Sequence, residues 1–394
     1  MQHKFILRGL LTAALVGVGL VASAQTIKVG MVNTYSGPNA TLGDGIDKGV
    51  KLYMKLNADK LPKGVNVELI VRDDGGTNPD KAKQLAQELI VRDKVQMLTG
   101  VVWTPNAMAI APLTAEAKIP FVISNAGASV ITTRSPYITR ASFTLWQSSY
   151  PMGQWAAKKF KRAYIAVTDF SPGHDCEEAF EKAFTAGGGQ IVGKARMPFN
   201  TDFIPYMQRA KDAKPDVLFV FIPAGRQATQ VMKAYGDLGL DKAGIKFIGP
   251  GDIVTDEELP SMGDVPLGVI STHHYSAAAD RPANKAFVAA WRKEYGDKVI
   301  PNFLAVAAYD GMDMIYTAIR EQNGKVDPDK TMEIFKRYKN ANSPRGPIAI
   351  DPETRDIVQN MYIRETRKVN GQLANVELET IPMVKDMWKE FNKK

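Results

Sequence analysis

Short apolar strand patterns alternate with helical patterns along most of this chain, and no other feature limits its possible folds as strongly. The first series of strand patterns covers residues 27–34, 67–73, 95–101 and 121–124. The alternation begins again after Ala141, with strand patterns at 164–168, 190–195, 217–222 and 245–249. Such β-α-β order predicts parallel sheets that helices cover on both faces. For 394 residues, two series predict an α/β fold with two doubly wound lobes.

The last third of the chain has a different pattern, with helices first and strands after them. Helical patterns cover residues 282–295, 303–320 and 327–338, and strand patterns follow at 348–351, 360–364 and 373–381. Asn370-Gly371 separates the last two strand patterns, and this dipeptide is a strong hairpin signal. Because no low-complexity linker divides the two series, we expect strands that cross between the lobes to join them.

The first 24 residues are typical of a secretory signal peptide. Lys4 and Arg8 precede an apolar run at 9–21, and Ala22-Ser23-Ala24 supplies small residues for cleavage. The run is shorter than the ~20 apolar residues that span a bilayer. No Cys follows the small residues, so we expect a periplasmic protein that starts at Gln25 and is not a lipoprotein.

Charge and cysteine content exclude several classes of function. The formal net charge of +8 falls to +6 without Lys4 and Arg8. The remaining excess is spread along the chain, whereas nucleic-acid binding needs clustered basic residues. Cys176 is the single cysteine, so neither an intrachain disulfide nor a thiolate metal cluster can form. No Walker loop or Gly-x-Gly-x-x-Gly fingerprint follows a strand, and we predict no cofactor.

Two clusters contain residue types that are common in catalytic or metal sites, but their spacing does not indicate an enzyme. His174, Asp175 and Cys176 are consecutive in a helical pattern, so their side chains point in different directions and cannot form a triad. His273 and His274 end a strand pattern, where neighbours alternate faces, so they cannot chelate one metal. We therefore predict no catalytic residue and no metal site. A periplasmic hydrolase or oxidoreductase is the alternative class, without identifiable machinery.

Short stretches in a specific order carry a resemblance to a known family across nearly all of residues 25–394. They are Ile27-Lys28-Val29-Gly30, Tyr35-Ser36-Gly37-Pro38, Arg72-Asp73-Asp74, Asn78-Pro79, Glu88-Leu89-Ile90, Asp93-Lys94-Val95, Ile119-Pro120-Phe121, Gly187-Gly188, Lys214-Pro215-Asp216, Asn284-Lys285-Ala286-Phe287, Tyr309-Asp310 and Arg345-Gly346-Pro347-Ile348. In these stretches the sequence resembles the periplasmic substrate-binding proteins of ABC importers for branched-chain amino acids.

The resemblance implies a type I periplasmic binding protein, which is a two-lobe clamp with a three-strand hinge. It assigns residues 27–144 and 277–356 to an N-terminal lobe, and residues 145–276 and 357–394 to a C-terminal lobe. A small-molecule ligand would bind between the lobes at the carboxyl ends of the strands, where open α/β sheets form crevices. The implied partner is an inner-membrane permease with separate ATPase subunits. We expect the binding protein itself to be a monomer.

The resemblance also suggests the residues that bind ligand in the first lobe. The family's carboxylate-binding hydroxyl follows the strand that ends at Gly100, and here this position is Thr104, after Trp103. A loop of small residues follows the next strand and offers backbone donors to an anion. It consists of Asn125, Ala126, Gly127, Ala128 and Ser129. Helix capping is an alternative role for Thr104, because it precedes Pro105.

The second lobe departs from the pattern for amino acids. The acidic residue expected to pair with an ammonium group is displaced by about one position, to Asp252. Phe170 and Arg226 stand where relatives have tyrosines. With Trp103 and Tyr35 as flat faces and Arg226 as a carboxylate partner, these residues favour an aromatic acid. Packing roles for Trp103 and Phe170, a solvated charge at Arg226, an amino-acid or amide ligand, and a ligand-sensing clamp remain as alternatives.

Overall fold

Strands and helices follow one another in the predicted order over residues 25–393, which the computed structural model describes. The strands are β1 (Gln25–Asn33), β2 (Val65–Asp73), β3 (Met97–Gly100), β4 (Phe121–Ile123), β5 (Ile138–Arg140), β6 (Arg162–Thr168), β7 (Gln190–Met197), β8 (Val217–Phe221), β9 (Lys246–Pro250), β10 (Ile270–His273), β11 (Lys339–Asn340), β12 (Ile348–Ile350), β13 (Ile357–Val369) and β14 (Gln372–Val384). The helices are α1 (Ala40–Leu56), α2 (Pro79–Val91), α3 (Thr104–Glu116), α4 (Leu145–Ala157), α5 (Ser171–Ala186), α6 (Ile204–Asp212), α7 (Arg226–Asp237), α8 (Pro282–Tyr295), α9 (Phe303–Glu321), α10 (Pro328–Lys336) and α11 (Met387–Phe391). The predicted signal peptide lies outside the described residues. Within them, no helix has both the length and the apolar character that crossing a membrane requires.

The strands form two sheets. Five parallel strands make the first sheet, in the order β2-β1-β3-β4-β5. The second sheet has the order β11-β12-β13-β10-β9-β8-β6-β7, and β14 pairs with β13. We call the first sheet with α1–α3 and α8–α10 the first lobe, and the second sheet with α4–α7 the second lobe. The predicted α/β class with two parallel-sheet lobes is confirmed.

The second sheet is only partly parallel. Strands β6 to β10 run parallel, whereas β11 to β14 add antiparallel pairs at one side, beginning with β10–β13. The antiparallel part follows from the hairpin at Asn370-Gly371, where both residues have positive φ (51° and 80°), as a type I′ turn requires. Strands β11 and β12 bond within this second sheet, although the predicted N-terminal lobe runs to residue 356. The predicted lobe boundaries themselves stay a prediction.

Apolar cores cover both faces of the central strands, as a doubly wound fold requires. In β4, Val122 packs into one core while its neighbour Phe121 packs into another. In β8, Phe219 packs into the first of these cores, while its neighbour Leu218 packs into a third core on the opposite face. This division follows from the two-residue repeat of a strand, which sends successive side chains to opposite faces.

Helix caps explain where two helices begin. Asn78 accepts a hydrogen bond from the Lys81 backbone N–H, and Pro79 is the first residue of α2, a position where the missing N–H of proline costs nothing. A helical pattern around residues 151–160 predicts a helix that begins at Pro151, whereas α4 begins at Leu145. Thr144 and Gln147 form a reciprocal capping box there, which places Pro151 inside α4. The prediction of this start was wrong because proline was read as a helix beginning.

Arg345 holds the hinge region together. The chain passes between the lobes after β5, after β10 and after α10. Arg345 is 1% exposed and donates from Nε to Asp310 Oδ2 of α9 at 2.8 Å. Its Nη atoms donate to the carbonyls of Ala141 and Ser142 on the first crossing segment and to Gln359 of β13. One buried guanidinium thus joins groups from both lobes and the segment between them.

Candidate binding cleft

A cavity lies between the two lobes, with about 420 Å³ of empty space that includes open solvent at its mouth. Both lobes contribute to its walls. The lining residues are Leu42, Val102, Trp103, Thr104, Asn125, Gly127, Phe143, Leu145, Phe170, Pro172, Phe221, Pro223, Ala224, Asp252, Phe303 and Leu304. Among these described residues, the polar side chains belong to Thr104, Asn125 and Asp252, and none is Lys or Arg.

Strand ends and helix beginnings bring these residues together. Strands β3, β6, β8 and β9 end next to the cavity, and helices α3, α5 and α7 begin there. Carboxyl ends of parallel strands lie at one edge of a sheet, where open α/β folds form their ligand crevices. The first turn of each helix has backbone N–H groups without intrahelical partners, and these favour an anion.

Thr104 and Gly127 form a donor-rich corner on the first lobe. Thr104 is the first residue of α3, and its Oγ1 accepts a 3.4 Å hydrogen bond from the Ala128 backbone N–H. The residue at the N-cap is Trp103, and no side chain caps the helix. The Gly127 N–H donates no hydrogen bond within residues 25–393. The Thr104 hydroxyl hydrogen and the Gly127 N–H are therefore both available to an acceptor in the cavity.

Aromatic rings form most of the remaining wall. Phe170 and Phe221 are stacked with ring centroids 6.1 Å apart, and Phe143 meets Phe303 edge to face at 5.6 Å. Trp103 is fixed by a 3.1 Å hydrogen bond from its Nε1 to Thr34 Oγ1. These rings surround a space suited to a flat apolar group, since aromatic pairs prefer offset or edge contacts.

Asp252 is the acidic side chain of the cavity. It is 6% exposed, and its Oδ2 is enclosed with no hydrogen-bond partner among the described residues. Burial raises the pKa of Asp252 to about 7, against a lowering by the Arg364 charge. His273 Nε2 lies 3.7 Å from Asp252 Oδ2. A buried carboxylate oxygen without a donor is costly, so this corner can accept a hydrogen bond from a ligand.

The two adjacent histidines meet instead of pointing to opposite faces. Strand β10 ends at His273, so strand alternation stops before His274, and their Nδ1 atoms are 2.9 Å apart. The expectation of opposite faces was wrong for this reason. Burial keeps the pKa of both rings well below the usual value, so both are neutral. Among the described residues, no group of three or more His, Cys, Asp or Glu side chains could hold a metal ion.

Four of the ten predicted site residues lie outside this cavity. The Tyr35 hydroxyl turns away and donates to Asp47 Oδ1 at 2.7 Å, and Arg226 is exposed at the start of α7. Ala126 and Ala128 are fully buried, and their carbonyls accept hydrogen bonds from Arg140. None of these four residues is therefore part of the cavity wall. The other six line it, namely Trp103, Thr104, Asn125, Gly127, Phe170 and Asp252.

Sequence reasoning missed the apolar residues that complete the wall. Phe143 and Phe303 are far apart in the chain and meet only because the first crossing segment passes the start of α9. The sequence placed Phe221 only within the strand pattern 217–222, whereas it is the last residue of β8 and lines the cavity. Position at the end of a parallel strand was the signal that could have found Phe221.

Polar contacts also join the lobes beside the cavity. Asn302, the N-cap of α9, donates to Glu257 Oε1 of the second lobe at 2.6 Å. The Ser129 backbone N–H of the first lobe donates to Asp175 Oδ2 of α5 at 2.9 Å. Asp175 therefore points across the cleft, while His174 bonds to Asp169 and Cys176 is buried in the helix face. As predicted, these three consecutive residues do not converge.

Curated relatives match almost the whole chain. The family described as periplasmic binding protein matches residues 26–372. A Leu/Ile/Val-binding protein homolog 6 of Brucella melitensis biotype 1 is 42% identical over 362 residues, which cover 91% of this chain and 92% of the relative.

Solved structures of solute-binding proteins of ABC transporters are similar in fold and sequence. One from Rhodopseudomonas palustris BisB5, in complex with 3,4-dihydroxybenzoic acid, has a TM-score of 0.89 and 49% identity, covering 92% of this chain and 99% of that one. Another from R. palustris, in complex with 4-hydroxybenzoate, has a TM-score of 0.88 and 45% identity, covering 92% and 98%. By family match, identity and coverage, this chain belongs to the periplasmic binding protein family.

Proposed function

We propose that this protein is the extracytoplasmic solute-binding component of an ABC importer and captures an aromatic carboxylate between its lobes. The observation that carries the proposal is the cavity itself, where aromatic walls meet a corner of neutral donors at Thr104 and Gly127. Similar proteins with hydroxybenzoates bound support the same ligand class. We propose that the protein acts as a periplasmic monomer and delivers its ligand to a permease with separate ATPase subunits.

The carboxylate of the ligand docks first on the first lobe. Thr104 donates its hydroxyl hydrogen, Gly127 donates its backbone N–H, and the start of α3 adds a favourable dipole. Hydrogen bonds to a charged acceptor contribute about 1.5–3 kcal/mol each. A carboxylate can therefore bind here without a basic side chain.

The ring then lies between apolar side chains from both lobes. Trp103 and Phe303 come from the first lobe, and Phe170 and Phe221 come from the second. The second-lobe wall is complete only when the cleft is closed, so the ligand favours closure. A shift from 1:99 to 99:1 requires about 5.5 kcal/mol of preference for the closed state, which one buried ring and a few charge-assisted hydrogen bonds can supply.

Amino-acid import is the second candidate. The curated relatives are homologs of Leu/Ile/Val-binding proteins, and Asp252 is a buried acid that could pair with an ammonium group. The aromatic lining and the neutral first-lobe donors favour the aromatic acid over an aliphatic zwitterion.

A thermal-shift and calorimetry screen of the purified protein tests the two candidates. We expect 4-hydroxybenzoate and related acids to raise the melting temperature, since ligand at a hundred times Kd stabilises by about 2.7 kcal/mol. Leucine and phenylalanine, at equal concentrations, are expected to leave it unchanged. Stabilisation by leucine without any response to aromatic acids would overturn the proposal.

Closure is expected to depend on pH through Glu257. Burial, together with the charges of Asp256 and Glu258, raises the pKa of Glu257 to about 7, although the Asn302 hydrogen bond acts in the opposite direction. In the open state the group would return to its ordinary pKa of about 4.3. A pKa raised on closure favours closure below about pH 4.3, and this contribution is lost as the pH rises to about 7. Ligand affinity is therefore expected to be at least about threefold tighter at pH 5.5 than at pH 8.

Calorimetry of Glu257→Gln at both pH values isolates this effect. Glutamine keeps an oxygen for Asn302 but cannot ionise, so the pH dependence is expected to shrink. Asp175, whose pKa burial also raises to about 7, accounts for the remainder. Equal pH dependence in wild type and variant would show that Glu257 does not titrate with closure.

A further inference from the structure

We infer that Asp252, positioned by His273, accepts a hydrogen bond from a ring hydroxyl of the bound acid and so selects hydroxylated over unsubstituted aromatic carboxylates. The inference rests on the proposed function and assigns the selectivity to two residues. Asp252 lies in the short 3-10 turn that follows β9, Gly251–Val254.

The polar pattern of the cavity fixes the direction in which an aromatic acid binds. The ligand carboxylate is repelled by Asp252 and attracted by the donors at Thr104 and Gly127. The ring edge away from the carboxylate then faces the second lobe. A hydroxyl there is a neutral O–H donor, and O–H···O⁻ bonds are among the stronger hydrogen bonds in proteins.

An unsubstituted ring would leave the Asp252 carboxylate unpaired. Asp252 Oδ2 has no hydrogen-bond partner among the described residues, and the carboxyl group is enclosed. Closing an apolar ring over it removes the remaining water without supplying a donor, which is unfavourable. Sites built to bond a hydroxyl reject analogues that lack it for this reason.

His273 lies beside the carboxylate as a neutral ring. Its Nδ1 accepts the His274 backbone N–H at 2.9 Å and lies 2.9 Å from His274 Nδ1, so we place the single proton of the ring on Nε2. His273 Nε2 is 3.7 Å from Asp252 Oδ2, which is longer than a hydrogen bond, and neither atom has a partner among the described residues. The ring is fixed by Phe143 and Phe303, with centroids at 4.8 and 4.3 Å. Both of these phenylalanines also line the cavity.

Gly251 and Arg364 complete the arrangement. A Cβ atom on Gly251 would lie 2.3 Å from His273 Cδ2 and 2.1 Å from Arg364 Nη2. Only glycine therefore lets the turn approach His273 closely enough to direct Asp252. Arg364 donates to Ser271 Oγ, and its buried charge lowers the pKa of Asp252 against the effect of burial. This charge favours the ionised carboxylate, which is the better acceptor.

The first experiment uses wild-type protein and needs no variant to fold. Calorimetry compares 4-hydroxybenzoate with benzoate and with 4-fluorobenzoate, which is similar in size but has no donor. We expect 4-hydroxybenzoate to bind about tenfold or more tightly than either analogue. Equal affinity for all three would overturn the inference while leaving the proposed function intact. Binding of none of them would instead overturn the proposed function.

Variants then test which residues carry the selectivity. Asp252→Ala is expected to reduce the preference for 4-hydroxybenzoate to about threefold or less, mainly by weakening that ligand. His273→Phe keeps the aromatic packing but removes the polar ring nitrogen beside Asp252, so it is expected to reduce the preference for 4-hydroxybenzoate. His273→Gln restores an N–H and is expected to recover part of it.

Asn125→Leu is the matched control. Asn125 Oδ1 is a rival acceptor, because it too is buried without a partner among the described residues while its Nδ2 donates to Val102 O. We expect Asn125→Leu to keep the preference for the hydroxylated ligand. Loss of the preference in Asn125→Leu, with retention in Asp252→Ala, would assign the hydroxyl to Asn125 and overturn the inference.

Discussion

Arg345→Met is expected to lower the free energy of unfolding by about 3–5 kcal/mol, because removing one partner leaves a buried charge unpaired. Asp310 is fully buried and loses the Arg345 Nε–H. The carbonyls of Ala141 and Ser142 and the Gln359 side chain lose donors at the same time. Methionine fills much of the volume but supplies none of these bonds. Urea denaturation measures the change.

Two control variants distinguish the loss of stability caused by breaking the buried network from the loss caused by removing any arginine. Arg337 is exposed and pairs with Glu321 on the surface, so Arg337→Met is expected to cost less than about 1 kcal/mol. The double variant Arg345→Met with Asp310→Leu is expected to recover part of the loss, since no unpaired charge remains. An Arg345→Met protein as stable as wild type would show that the hinge does not depend on this guanidinium.

Local patterns in the sequence predicted the fold class, and the resemblance to the family suggested residues on one side of the cavity. Thr104 and Gly127 stand four residues after the ends of β3 and β4, and both line the cavity. The resemblance also suggested Arg226, but it is the first residue of α7 and is exposed, while Ala224 lines the wall. Ala224 lies two residues earlier, in the loop between β8 and α7 that borders the cavity.

Residues that meet only through tertiary packing were beyond prediction. Phe143 and Phe303 come together from distant parts of the chain. Asp252 was found as a displaced acid, but its contact with His273 depends on the β10 strand ending at that residue and on Gly251 leaving room. No local sequence pattern shows that a Cβ atom at position 251 would clash with His273. The hinge contacts of Arg345 were likewise not predicted, because the sequence showed this residue only as part of a stretch that resembles the family.

Thr104→Val is expected to weaken binding of an aromatic carboxylate by about 10- to 150-fold, since a hydrogen bond to a charged group contributes about 1.5–3 kcal/mol. Valine has the shape of threonine but no hydroxyl. It removes the donor to the ligand and also the acceptor of the Ala128 N–H. Thr104→Ser keeps the hydroxyl and is expected to bind within about threefold of wild type. Calorimetry with 4-hydroxybenzoate measures both.

Thr99→Val is the matched control, because it makes the same chemical change away from the cavity. Thr99 is 1% exposed in β3, and its hydroxyl donates to the Val122 carbonyl. We expect this variant to lose stability but to keep its affinity within about twofold. Equal loss of affinity in both variants would show that Thr104→Val acts by disturbing the first sheet and not by removing a hydrogen bond to the ligand. Unchanged affinity in Thr104→Val would place the carboxylate elsewhere, for example at the N-termini of α5 and α7, which also begin next to the cavity.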